Sequence, residues 1–176
     1  MLTPNSIQTR HLLLNRFDHA ILSPENPILV TTDVVELKMR HIVHDVVARN
    51  EPIFNYMLGR LKYKGYYLPD IVTNFAEQLF DDWYSWSFII CLFAFTECVA
   101  KSEYKQMQQE GRGREYQCLL HAGYARHTAQ LVDHVITTWI DDQGGWSAFY
   151  NEKIVTRFWI EKKILRRFCQ LLFGRA

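Results

Sequence analysis

The chain has little cysteine, little proline or glycine, little net charge and no long hydrophobic run. The four cysteines, Cys91, Cys98, Cys118 and Cys169, include no C-x-x-C pair. Neither a zinc ribbon nor a disulfide framework is therefore expected. Three of them sit inside apolar stretches, which reads as free buried thiols in a reducing compartment. No basic segment followed by an apolar one opens the chain, and the expectation is an intracellular, cytoplasmic protein. The net charge of +1, with 22% charged residues, gives no field to draw the chain onto nucleic acid. The uncharged run from Trp83 to Thr96 is 14 residues long. A membrane span needs about 20, so this run reads as a buried core helix. The five prolines and eight glycines fall between periodic segments, as in a helical bundle with short loops.

What is present is a core. At 176 residues and 48% apolar content, the chain suits one domain over residues 1–176 that buries enough surface to offset its ordering entropy. A first helix is expected from about Ser6 to Leu22, with Leu12, Leu13 and Phe17 on one side. A second begins near Thr32 and Asp33, both good N-cap residues. Its apolar positions Val35, Met39, Ile42 and Val46 share one stripe, and Val43, Val47, Phe54 and Leu58 form a row beside it. Pro52 is expected to kink or restart this helix, with Asn50 capping the new segment. Further helices are expected over Asp70–Phe80, Trp86 to about Lys101, Glu115 to about Trp139, and Ile154–Phe173. The segment from Trp86 is apolar on all sides and must be buried on all sides. No strand-like alternation persists, so the fold class is all-α.

Chemistry is sparse. His41 and His44 lie three apart and His127 and His134 seven apart, so each pair can share a helix face, but zinc needs a third ligand and none stands at a recognised spacing. Cys118 and His121 make a possible nucleophile–base pair, without a turn to present the thiol or an evident oxyanion hole. The adjacent pairs Asp81-Asp82 and Asp141-Asp142 diverge rather than share a proton. Gly111-Arg112-Gly113 lacks the preceding strand and the spacing of a phosphate loop. No enzymatic activity, metal or cofactor is expected.

Two segments are more specific. Trp139-Ile140-Asp141-Asp142-Gln143-Gly144-Gly145-Trp146 ends one helix and starts another within two residues, with tryptophans to seal the corner. Upstream, Gln78-Leu79-Phe80-Asp81-Asp82-Trp83-Tyr84-Ser85-Trp86-Ser87-Phe88 leads into the apolar helix ending Phe93-Ala94-Phe95. These resemble, in order and spacing, the second and first homology motifs of the Bcl-2 family of apoptosis regulators. The structural residues of the second homology motif are Trp139, Gly144, Gly145 and Trp146. The resemblance implies a bundle of about eight helices around a buried hydrophobic central helix. It also implies a hydrophobic groove that holds the amphipathic death-motif helix of pro-apoptotic relatives.

By resemblance that groove draws on Val46, Asn50, Ile53, Phe54 and Met57 from the second helix region, and on Phe75 and Leu79 from the next. Ser85, Trp86, Phe88, Cys91 and Phe95 come from the central helix. Two departures stand out. Ser87 and Phe88 replace the family's Gly-Arg pair, so the ion pair to a ligand aspartate is lost. In the chain's own third motif, Val43 and His44 occupy the places of a small residue and an aspartate. A chain that spoils its own ligand motif is expected to be a receptor, hence pro-survival and found at the mitochondrial surface. The alternatives are a pore-forming pro-apoptotic relative, or a helical scaffold whose basic last helix, with Lys162, Lys163, Arg166 and Arg167, lies on an anionic membrane surface.

Overall fold

The computed structural model describes residues 3–21, 32–62, 70–73, 76–77, 84–119, 125–151 and 170. Six helices have defined bounds: α1 (Pro4–Ile21), α2 (Val34–Lys62), α3 (Trp86–Gln109), α4 (Gly113–Leu119), α5 (Ala125–Asp142) and α6 (Trp146–Asn151). Residues 70–73 and 76–77 are helical as well, and among the described residues there is no strand. The all-α expectation holds.

α3 is the axis of the bundle. Ser85, in extended backbone conformation, caps it, its hydroxyl accepting from the Phe88 N–H at 3.3 Å. Every residue from Ile89 to Ala100 is buried, as a helix apolar on all sides requires. The helix continues past the expected end near Lys101 to Gln109, because Lys, Glu, Gln and Met there are strong helix formers. Tyr104 and Met107 on this extension join a second apolar cluster built on Phe17, Ala100, Tyr116 and Ala125.

α1 lies against α5 and α3, and α2 against α3 and α6. The start of α2 is fixed by Asp33, whose Oδ1 accepts from the N–H groups of Val35 at 2.8 Å and Glu36 at 3.2 Å. The restart expected at Pro52 does not occur: α2 runs through it as one helix of 29 residues. The carbonyl that loses its N–H partner is that of Ala48, and both residues are exposed, so water can replace the missing donor. Val46, Phe54, Met57 and Leu58, buried on either side, hold this stretch of the helix on the core. Asn50 consequently caps nothing; its Nδ2 donates to the Val46 carbonyl one turn back at 2.8 Å.

The single helix expected from Glu115 to Trp139 is met by two described helices, α4 and α5, with residues 120–124 outside the described set. The α5–α6 corner follows the glycine reading. Gly144 and Gly145 have φ of 94° and 79°, their N–H groups donating to the carbonyls of Asp141 (3.1 Å) and Ile140 (2.8 Å), the paired bonds of a left-handed helix stop.

Candidate functional site

The residues expected to form a groove divide by position. Val46, Phe54, Met57, Trp86, Cys91 and Phe95 are buried members of the main core, and the Phe54 and Phe95 rings, 6.4 Å apart, join α2 to α3. Asn50, Ile53, Ser85 and Phe88 are half-buried. Phe75 and Leu79 lie outside the described residues. In the described part, then, the structure gathers most of the apolar candidates into the core and leaves the others half-buried. Ile53 on α2 and Phe88 on α3 both pack against the core while keeping part of their surface open, and Tyr56, one helical turn on from Ile53, is exposed. The two polar members carry local tasks, Ser85 as cap and Asn50 bonded to its own helix.

The stripe of α2 is turned inward. Val35, Met39 and Val46 are buried, as is Val43 from the neighbouring row, while Ile42 and Val47 pack partly buried beside them. The buried face therefore straddles both rows seen in the sequence.

The aromatic corner sits at the head of α3. Trp86 meets Trp139 at 5.0 Å, Phe149 at 5.2 Å and Trp146 at 5.6 Å between ring centroids. Trp146 is fully buried, and its indole N–H donates to Thr9 Oγ1 at 3.0 Å. Its backbone N–H donates to Asn5 Oδ1 at 3.3 Å, and Asn5 Nδ2 donates to Asp141 at 2.5 Å. A Cβ on Gly145 would come within 2.9 Å of that Asn5 amide, so the glycine is needed for close approach as well as for its φ.

Sequence reasoning missed the polar groups around this frame. Asp133, buried on α5, accepts from Ser6 Oγ at 2.6 Å and Arg10 Nε at 2.7 Å, and from Thr137 within its own helix. Glu97 interrupts the apolar α3 and is 1% exposed, as is Arg16 of α1. Their closest ionic contact is 3.8 Å, too long for a hydrogen bond, whereas Lys101 reaches Glu97 at 2.5 Å. Burial lowers the Arg16 pKa, and the nearby Glu97 carboxylate opposes that shift. No sequence signal marks these partners, because they lie far apart along the chain.

A cleft of about 750 Å³ opens between α2 and the outer half of α3, lined by Ala48, Glu51 and Asn55 on one side and Cys98, Lys101 and Lys105 on the other. It lies on the opposite side of α2 from Val46, Asn50, Ile53 and Met57, by the 3.6-residue helical period, and contains none of the expected groove residues. Burial pushes the thiols of Cys91 and Cys98 up to about 12, which makes them poor nucleophiles. His41, His44, His127 and His134 are exposed, and among the described residues no group of three His, Cys, Asp or Glu side chains could hold a metal. Among those residues, no helix is long and apolar enough to cross a membrane.

The family model for the Bcl-2 apoptosis regulator proteins matches residues 39–146, more than half of the chain. The chain belongs to the Bcl-2 family. The matched span runs from Met39 in the α2 stripe to Trp146 at the glycine corner, and so takes in the whole of α3. No curated protein matches this Bcl-2 family chain.

Proposed function

We propose that this Bcl-2 family member is a pro-survival receptor that holds the amphipathic death-motif helix of pro-apoptotic relatives. The ligand lies along the rim of Asn50, Ile53 and Phe88, over the floor of Phe54, Cys91 and Phe95. The observation that carries this reading is the orientation of α2. Its own anchor stripe is spent on the core, with Val35, Met39 and Val46 buried, while Ile53 and Phe88 pack on the core and keep part of their apolar surface open. A helix whose anchors are buried in its own domain is poorly placed to be a ligand, and the open rim suits capture of another.

Magnitudes favour apolar recognition. Four anchors at roughly 1.5–3 kcal/mol each give about 6–12 kcal/mol gross. Association and ordering subtract several kcal/mol, leaving micromolar to nanomolar affinity within reach. The family's arginine is replaced by Phe88, and an exposed ion pair adds only about 0.2–1 kcal/mol. Changing the ligand's aspartate to alanine should therefore weaken binding less than about tenfold. Calorimetry with a four-anchor death-motif peptide and its aspartate-to-alanine variant tests this; a much larger loss would mean that another cation serves the aspartate. In permeabilisation assays on isolated mitochondria a receptor protects, whereas a pore-former releases cytochrome c, the result that would overturn the pro-survival reading.

A further inference from the structure

The N-terminal half of α2 is held to the aromatic corner by one side chain that no motif marks. Lys38 Nζ donates to the carbonyl oxygens of Phe149 at 2.8 Å and Tyr150 at 2.7 Å. A carbonyl oxygen has two lone pairs, so each can accept from the ammonium, which brings three donors. The same ammonium lies 5.2 Å from the centroid of the Phe149 ring and 5.7 Å from that of Tyr150, within the range of a cation–π contact. Phe149 in turn packs on Trp86 and Trp146. One cation thus ties α2 to the head of α3 through two carbonyls and two rings.

We propose that Lys38 is a clamp that sets how readily the first turns of α2 leave the body, and with them the anchors Val35 and Met39. The inference rests on the receptor reading above for its consequence: with the clamp closed the chain keeps its own stripe and presents only its groove, and with it open the stripe becomes available to another groove. The geometry of the clamp is independent of that reading. Val43, Val46 and Phe54, buried further along α2, hold the rest of the helix, so loss of the clamp opens the first turns locally rather than unfolding the domain.

Hydrogen exchange read by mass spectrometry on the full chain tests this with Lys38→Met, which keeps an apolar stem without donors, and Lys38→Arg, which restores them. Lys38→Met should speed exchange over residues 34–42 by about fivefold or more while leaving 89–100 at the wild-type rate, and Lys38→Arg should stay within about twofold of wild type. Unchanged exchange over 34–42 in Lys38→Met, or a rise in step with 89–100, would overturn the clamp. Titrating the wild type with a four-anchor death-motif peptide in parallel separates the two ideas. Failure of the peptide to bind would sink the receptor reading, while the exchange rates alone decide the clamp.

Discussion

α1 and α2 both lie against α3, yet they are held by different chemistry. α1 is fixed by directional polar contacts: Ser6 and Arg10 on Asp133, Thr9 and Asn5 on Trp146, and Arg16 facing Glu97. α2 is fixed to α3 by apolar burial through Met39, Val43, Val46, Phe54 and Met57, with the Phe54–Phe95 ring pair among its contacts. Polar contacts of this kind specify one register and fail when a single partner is lost. Apolar burial is non-directional and tolerates repacking. Along the second half of α2 the buried side chains Val46, Phe54, Met57 and Leu58 are all apolar, so a partner helix can wedge there without orphaning a buried charge, whereas displacing α1 would strand Arg16, Glu97 and Asp133. That physical contrast supports placing the proposed groove on the α2 side.

Substitutions on the two sides should differ in kind even where the two largest costs are alike. Phe95→Ala removes a fully buried ring and should cost about 3–5 kcal/mol, measured by chemical denaturation. Across the α1 contact, Glu97→Leu leaves the Arg16 guanidinium buried without its carboxylate and should cost about 3–5 kcal/mol. Adding Arg16→Met should recover much of that loss, because an apolar pair no longer carries a stranded charge. If the double variant is no more stable than the single one, the ion pair is not what makes α1 breakable. Asp133→Asn weakens the acceptor shared by Ser6 and Arg10 and should cost about 1.5–3 kcal/mol, with a thermal shift to match. Gly145→Ala meets both a positive φ and the Asn5 amide; a cost of about 1–3 kcal/mol is expected, partly relieved in an Asn5→Ala background if the close approach matters.

The two sides also differed in how much the sequence disclosed. Apolar periodicity gave α3 as the buried axis, since Ile89 to Phe95 leaves no polar face, and it gave the rows of α2. The adjacent glycines between Trp139 and Trp146 gave the corner, because few residue pairs allow two consecutive positive φ values. The polar contacts of α1 were not legible: Asp133 lies more than a hundred residues from Ser6 and Arg10, and nothing local distinguishes it from a solvated aspartate. Glu97 could be seen to interrupt an apolar run, but not to face Arg16. Pro52 misled because its penalty depends on where the orphaned carbonyl points, and the exposed side of α2 lets water satisfy it. The candidate groove residues split for a similar reason: hydrophobicity alone does not separate a fully buried ring such as Phe95 from a half-buried one such as Phe88.

The central claim is that a partner helix enters beside α2 and not beside α1. Residue-resolved NMR shifts during titration with a four-anchor death-motif peptide test it most directly. Saturable changes at Asn50, Ile53 and Phe88, with Asp133, Thr9 and Trp146 unmoved, are the predicted result. Shifts confined to the α1–α5 side, or none at all at peptide concentrations well above the micromolar range, would contradict it.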